Sequence, residues 1–361
     1  MALAVVRNLG SPNALRSALD AEDFEQELVD QYALSMAAAG LTDAHIASSR
    51  TLVIGFAQFL ARPLWTASVS DGDRFLADQR RGGRSRNTLS GKAAGIAQFY
   101  DFLLTRYQGD INRLTGFVVE QPIDEFNRPA RAAASNVRVP PADDEIDRLF
   151  TSWGQSLVDS RKYLPAARNY FAASLWRRLG LRITESVKLD LRDWRPDLGD
   201  RGKLHVRFGK GSRGRGPKPR LVPAINSADV LIDWWMAEIR PQFGPDWADP
   251  DAPMLPSERQ DSVLGRCPRV GTDALRAALG RVTAQWLPAW KGRLTPHVLR
   301  HYCASSLYGN GMDLKAVQEL LGHEWLSTTT RYVHVRSDHI ERAWEQANQR
   351  MTARFEIETG T

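Results

Sequence analysis

Residues 294–335 read LTPHVLRHYCASSLYGNGMDLKAVQELLGHEWLSTTTRYVHV. Thr295 has the chemistry of an N-cap and Pro296 suits the first helical turn, so a helix is expected to start here and to stop near Gly309 and Gly311. His297 and Arg300 are three apart and are expected to share a face of it. A second helix follows, with Leu314, Val317, Leu320 and Leu321 as its core stripe and Gly322 as its stop. His323 emerges directly after that stop. Ser327 can cap one more short helix, which carries Tyr332. Most buried tyrosines anchor a helix to a core, so Tyr332 alone is no sign of chemistry.

Upstream, LWRRLGLRITESVKLDLRDW (175–194) places Arg182 and Glu185 just after a glycine, at the start of another helix. Arg178 is near as well, and charge alone does not choose between the arginines. KLHVRFG (203–209) alternates Leu204, Val206 and Phe208 against His205 and Arg207, the period of a strand. PRLVPA (219–224) is its expected hairpin partner, across a turn rich in glycine and arginine.

The 361 residues suffice for two ordinary domains. A 43% hydrophobic and 25% charged composition describes a folded chain, and no apolar run approaches the roughly 20 residues of a membrane span. The N-terminal segment MALAVVRNLGSPNALRS is too polar for a signal peptide. Two cysteines, Cys267 and Cys303, provide neither a disulfide framework nor a cysteine zinc pattern. A reducing cytoplasm is therefore the expected compartment.

The net charge of +6 is unevenly placed: residues 1–138 hold 15 basic and 15 acidic side chains, so the excess belongs to the rest. Two stretches hold no acid at all. RRGGRSRNTLSGK (80–92) contributes Arg80, Arg81, Arg84, Arg86 and Lys92, and residues 201–220 carry eight basic residues, including Lys210, Arg213, Arg215, Lys218 and Arg220. One such run is usually a solvated face; two in separate regions point to a polyanion partner.

Residues 22–106 read as four amphipathic helices. The first spans about Asp23 to Ala39, the second is capped by Thr42, the third by Ser70, and the fourth opens at Ser85. From 107 to 141 the periodicity fades into Gly, Asn, Pro and Ala, the composition of a linker. PADDEIDRLF then begins a second, mostly helical domain, with acids in its first turn.

Two tempting motifs fail. His297 and His301 stand at i, i+4, but HVLRH lacks the glutamate of the HExxH zinc motif and no third ligand is suggested. Gly209, Gly211 and Gly214 match G-x-G-x-x-G, yet the following GPKP forbids the helix that a dinucleotide fingerprint must open. The combination of two arginines, two histidines, a hairpin lysine and a tyrosine suits attack on a phosphodiester without metal. Arginine forks match phosphate oxygens and stabilise developing charge. A phenol with pKa near ~10 needs a base or a strong positive field to act at neutral pH.

Taken in order, GLRITE, GKG, HVLRH, LLGH and TTTRY resemble the tyrosine recombinase (phage integrase) family, from about residue 25 to 340. The resemblance implies a mainly α fold with a small β-hairpin or sheet, arranged as a two-domain, C-shaped DNA clamp. It implies an N-terminal tail (1–21), a four-helix, SAM-like core-binding domain (22–110), a linker (111–140), a catalytic domain (141–338) and a C-terminal helix and tail (339–361). That last helix, with Ile340, Ala343, Trp344 and Ala347 on its apolar face, docks on a neighbouring protomer or packs in cis. With about 20 residues ahead of the core-binding helices, no arm-type DNA-binding domain is expected.

Carried over residue by residue, Arg182 and Arg300 bind the scissile phosphate, His297 assists proton transfer, His323 bonds a phosphate oxygen and Tyr332 attacks. Glu185 matches the acidic position that orders the site, and Lys210 the hairpin lysine that protonates the 5′ oxygen. The hairpin departs from the family's compact GKG-x-K-x-R-x-VP, reading GKGSRGRGPKPRLVP, which makes Lys218 a rival to Lys210. The implied activity is strand exchange through a 3′-phosphotyrosyl link, with no cofactor, ATP or metal. Its implied partners are double-stranded DNA sites paired by a homotetramer, which is monomeric or weakly associated when free, and accessory proteins encoded by a mobile element, at the nucleoid and not a membrane. A type IB topoisomerase would share the chemistry without site choice, and a DNA-binding regulator would share the scaffold without the chemistry. An intact residue set and a whole-chain pattern favour the recombinase.

Overall fold

Helical spacing of apolar residues in the first third of the chain produces α1 (Ala18–Ala38), α2 (Asp43–Leu60), α3 (Val69–Arg81), α4 (Arg86–Arg106) and α5 (Gln108–Thr115). The structure, a computed structural model, describes residues 18–130, 139–209, 218–261 and 266–322. These fall into two compact units, one before residue 136 and one after it. Among the described residues no helix is long and apolar enough to cross a membrane.

In the first unit, Thr42 accepts from the His45 N–H and Ser85 from the Thr88 N–H, so both expected caps form. The core joins Leu28, Tyr32, Phe56, Phe75, Ile96, Phe99 and Tyr100. Its aromatic rings meet edge to face, as in Phe56–Phe75 at 5.1 Å and 74°. The buried Tyr100 hydroxyl donates to the Leu64 carbonyl at 2.7 Å.

Three expectations change here. Helix α1 starts at Ala18, ahead of Asp23. Helix α3 is capped at Ser68, not Ser70, because Asp71 turns back to accept from both the Ser68 N–H and its hydroxyl at 2.9 Å. The stretch read as linker from residue 107 begins with α5, whose Ile111 joins the core with Val119 and Ile123. The chain there lies so close to α3 that a Cβ on Gly72 would sit 2.0 Å from the Pro122 carbonyl oxygen. Three well-placed apolar residues dock a segment whose composition alone reads as loop.

The second unit contains α6 (Asp143–Gln155), α7 (Tyr163–Leu179), α8 (Ile183–Ser186), β1 (Trp194–Arg195), β2 (Lys203–Val206), β3 (Arg220–Pro223), α9 (Ala228–Trp234), α10 (Thr272–Trp286), α11 (Pro296–Gly309) and α12 (Leu314–Leu321). Helix α7 buries residues on nearly every side, among them Phe171, Ala172, Ala173, Leu175 and Trp176, as a central helix must. Helix α11 packs along it. Phe171 stacks on Trp235 with centroids 4.6 Å apart and planes within 5°. The sheet is antiparallel in the order β1-β2-β3, with Leu204 opposite Val222 and Val206 opposite Arg220. Strand β1 was not expected; two residues are too few to show alternation.

Asp71 is 1% exposed and pairs with Arg62 and Arg74. Burial pushes its carboxyl up, but the hydrogen bonds from Ser68, Arg74 and Arg62 prevail and hold it down at about 2. A carboxyl depressed in the folded state adds stability above the ordinary carboxylate range and loses it as pH falls through that value. Asp71→Asn should therefore cost about 2 kcal/mol at neutral pH and flatten the acid-side decline, read from hydrogen exchange of the α3 amides.

Candidate active site

Glu185 lies in the single turn of α8, which is held by its flanks. The Trp176 indole N–H donates to the Ser186 hydroxyl at 2.9 Å, and that hydroxyl donates to the Arg182 carbonyl at 3.1 Å. The Glu185 carboxylate, 2% exposed, accepts from the Arg182 backbone N–H at 2.9 Å and from Arg182 Nη1 at 2.6 Å. From the first residue of β3, Arg220 closes on the same carboxylate with both ends of its fork, Nη1 to Oε1 at 3.0 Å and Nη2 to Oε2 at 2.8 Å. Arg300 Nη1 stands 3.9 Å from Oε2. Three guanidinium groups thus surround one carboxylate, an excess of two positive charges. Burial raises the Glu185 carboxyl, yet the hydrogen bond and charge of Arg220, then Arg182, overcome it and hold the group at about 2.

Arg300 is 1% exposed and bonds backbone, donating through Nη1 to the Gly180 carbonyl and through Nη2 to the Leu321 carbonyl at 2.7 Å. Those carbonyls close the C-terminal ends of α7 and α12, where helix dipoles favour a cation. Arg220 Nε donates to the neighbouring Leu320 carbonyl at 2.9 Å. Strand β3, α7, α8, α11 and α12 therefore converge on this cluster. Arg182 keeps 23% of its side chain in solvent, so a part of its fork can meet a ligand.

The structure separates the candidate arginines. Arg178 donates to the Asn226 carbonyl, whereas Arg182 joins Glu185. His297 is exposed on the first turn of α11, its ring edge-on to His301 at 4.9 Å, while Arg300 turns into the core. The two are three residues apart, and only the histidine faces solvent. Lys218 is exposed, and its N–H pairs with the Gly209 carbonyl at 3.1 Å, which closes the base of the hairpin. Lys210, Arg213, Arg215, His323, Tyr332 and the expected C-terminal helix lie outside the described residues. Beside the cluster lies a pocket of 560 Å³ lined by Gly209, Lys218, Arg220, Lys315, Gln318 and Gly322.

Two of the expected DNA contacts are engaged within the protein. Arg220 is turned inward, its side chain 10% exposed, because Glu185 and the end of α12 take its donors. Lys92 is half-buried and donates to the Gln79 amide oxygen beside the Phe75 ring. Arg80, Arg81, Arg84 and Arg86 do remain exposed around the turn from α3 to α4. The inward turn of Arg220 had a signal in the strand period: Arg220 and Val222 share one face, and Leu221 points out at 47% exposure. A second buried cluster had no such signal. Arg207 Nε reaches Asp193 at 2.7 Å and its Nη2 reaches Asp190, which also pairs with Arg269, so the end of β2 is tied down just ahead of the hairpin.

Both cysteines are buried, and burial pushes the Cys303 thiol up to about 12 against the pull of Arg300, so it stays protonated. Among the described residues no three His, Cys, Asp or Glu side chains group to hold a metal ion. What the arrangement can do is bind an anion through arginines held in fixed directions.

Residues 154–339 match the model of the phage integrase family. The chain is 30% identical over 276 residues to the tyrosine recombinase XerC of Rhizobium meliloti (strain 1021), covering 76% of this chain and 75% of that one. It is 27% identical over 282 residues to the tyrosine recombinase XerD of Listeria innocua, covering 76% and 81%. Among solved structures, the Tn1549 transposon integrase in complex with transposon right-end DNA superposes with a TM-score of 0.62 at 18% identity, over 89% of this chain and 99% of that one. XerH bound to a palindromic difH substrate gives 0.62 at 19%, over 90% and 85%. These two share the fold.

Gly322 ends α12 with φ +66°, and a Cβ there would meet Arg220 Cδ at 2.9 Å and its Nε at 3.1 Å. Gly322→Ala should destabilise the second unit by about 1–3 kcal/mol, from left-handed strain and displacement of Arg220. Gly309→Ala, where a Cβ meets nothing within 4 Å, is the control and should leave the thermal midpoint unchanged or raised.

Proposed function

Since the chain belongs to the phage integrase family, we propose that it is a site-specific DNA recombinase that cleaves and rejoins strands through Tyr332. The observation that carries this reading is the arginine cluster on Glu185, with its excess positive charge and one partly exposed fork. Such a cluster suits a phosphodiester, whose non-bridging oxygens gain charge as a nucleophile adds. Arg182 and Arg300 hold those oxygens, and Glu185 fixes the two arginines without reacting. His323 adds a hydrogen bond to a phosphate oxygen.

The Tyr332 oxygen attacks phosphorus as its proton passes to a base assisted by His297. The bond to the 5′ oxygen breaks, and Lys210 protonates that oxygen. A 3′-phosphotyrosyl link and a free 5′-hydroxyl result. The 5′-hydroxyl of a partner strand then attacks the link and restores the tyrosine. One phosphodiester is exchanged for another, so the chemistry conserves bond energy and calls for neither ATP nor metal. Lys218, exposed at the far stem of the hairpin, is the rival proton donor.

Within this reading the helical first unit is the core-binding domain, with Arg80, Arg81, Arg84 and Arg86 contacting phosphates, and the second is catalytic. The relatives include a transposon integrase bound to transposon-end DNA and a recombinase bound to its difH substrate. By analogy this chain acts on paired double-stranded sites as a homotetramer, with the C-terminal helix docking in trans and accessory proteins assisting. Its place of action is the cytoplasm, at the nucleoid.

The exposed arginine turn makes DNA affinity steeply salt-dependent. Arg84→Gln with Arg86→Gln should lower the slope of log K against log salt by roughly one unit per lost phosphate contact; an unchanged slope returns the turn to an ordinary solvated surface. The mechanism itself is tested with a nicked suicide substrate. The wild-type chain should form a covalent DNA adduct in EDTA, and Tyr332→Phe should bind the same DNA and form none. An EDTA-sensitive reaction, or an adduct in the phenylalanine variant, rejects the assignment.

A further inference from the structure

Arg220 is the one member of the cluster without a part in the proposed chemistry. A carboxylate offers about four lone-pair sites, and Glu185 has filled them. Oε1 takes Nη1 of Arg182 and Nη1 of Arg220; Oε2 takes the Arg182 backbone N–H and Nη2 of Arg220. The two-point fork of Arg220 sets the plane of the carboxylate, which a single point charge cannot do. Arg300 is left 3.9 Å from Oε2, beyond a hydrogen bond, and donates once through Nη1 to the Gly180 carbonyl and once through Nη2 to the Leu321 carbonyl. The third contact of Arg220, Nε to the Leu320 carbonyl, ties β3 to the end of α12 two residues ahead of Gly322.

We propose that Arg220 is a positioning residue for strand transfer: by occupying both oxygens of Glu185, it aims Arg182 and keeps the carboxylate from capturing Arg300. This rests on the recombinase reading above. With Arg220 gone, Glu185 is free to swing toward Arg300 and neutralise a charge that the phosphate needs. Arg220 acts through its neighbours, since its fork is committed inward and its side chain is 10% exposed.

A pH signature follows. Among the described residues, the charged groups facing Glu185 are Arg182 from the turn before α8, Arg220 from β3 and Arg300 from α11; the Cys303 thiol lies beside Arg300. Burial raises the Glu185 carboxyl, and Arg220 supplies the largest opposing effects. Without Arg220 the carboxyl moves up. As pH falls it takes a proton, and the protonated oxygen no longer accepts from Arg182. The rate should then acquire an acid limb beyond any that the histidines give the wild type.

The experiment measures single-turnover adduct formation on a suicide substrate at saturating protein, from pH 5 to 8, for the wild type, Arg220→Met, Arg220→Lys and Arg220→Met with Glu185→Gln. Binding constants and salt slopes are measured on the same DNA. Arg220→Met should form adduct roughly 10- to 100-fold more slowly at saturation, with affinity within about threefold of wild type and an unchanged salt slope. Its rate should fall further toward pH 5. Adding Glu185→Gln, which cannot titrate, should remove that limb. Arg220→Lys should recover part of the rate, and if the methionine variant does not fold, the lysine variant carries the test with a saturated rate at least threefold below wild type. A wild-type saturated rate in the folded variant, or weaker binding with a shallower salt slope and no loss of rate, makes Arg220 a DNA contact and overturns the proposal. A slow variant whose pH profile parallels the wild type overturns it as well. If the wild-type chain itself forms no adduct, the recombinase reading fails instead.

Discussion

Everything in the second unit turns on a buried carboxylate that is shared. Desolvating Glu185 and its guanidinium partners costs several kcal/mol per ion, and mutual attraction offsets that only where geometry is good and no donor or acceptor is left over. Both oxygens of Glu185 are filled, and by segments far apart in sequence. Arg220 arrives from 35 residues away, and Arg300 reaches the Gly180 carbonyl across 120. Removing Glu185 would leave three guanidinium groups facing one another without a counter-charge. The cluster therefore fixes how β3, α8, α11 and the end of α12 meet, and it does so with direction, because forked donors are planar.

The same arrangement creates the field that a phosphate requires. Glu185 cancels one of three positive charges, and the helix ends beneath Arg300 stabilise a cation that would otherwise be costly to bury. In the proposed reaction, donors held by the fold before substrate arrives leave little reorganisation for the moment of transfer. Exposure divides the labour. Arg182 and His297 open to solvent, whereas Arg220 and Arg300 are enclosed.

In the first unit a second buried carboxylate plays a structural counterpart. Asp71 caps α3 and gathers Arg62 and Arg74, so those two arginines are spent on folding. The arginines one turn beyond, at the junction of α3 and α4, are left in solvent. Basic residues of one composition are thus engaged differently: Arg62 and Arg74 pair with the buried Asp71, and those of the acid-free stretch stand in solvent, where a polyanion can reach them.

Much of this was set by local sequence. Helical periodicity and the hydroxyl caps at Thr42, Ser85 and Thr295 place their helices, Gly322 ends α12, and the ordered motifs from GLRITE to TTTRY identify the family. Such signals act within a turn or a strand, over a few residues, so no tertiary context is needed to read them. Tertiary structure alone joined Arg220, which the strand period turns inward, to Glu185 and the end of α12. It also tied Arg207 and Arg269 to Asp190, and docked residues 108–123, loop-like in composition, against the helical core. An arginine's charge is the same in every setting, and which carboxylate or carbonyl claims its fork depends on chain segments brought together only when the hydrophobic core closes.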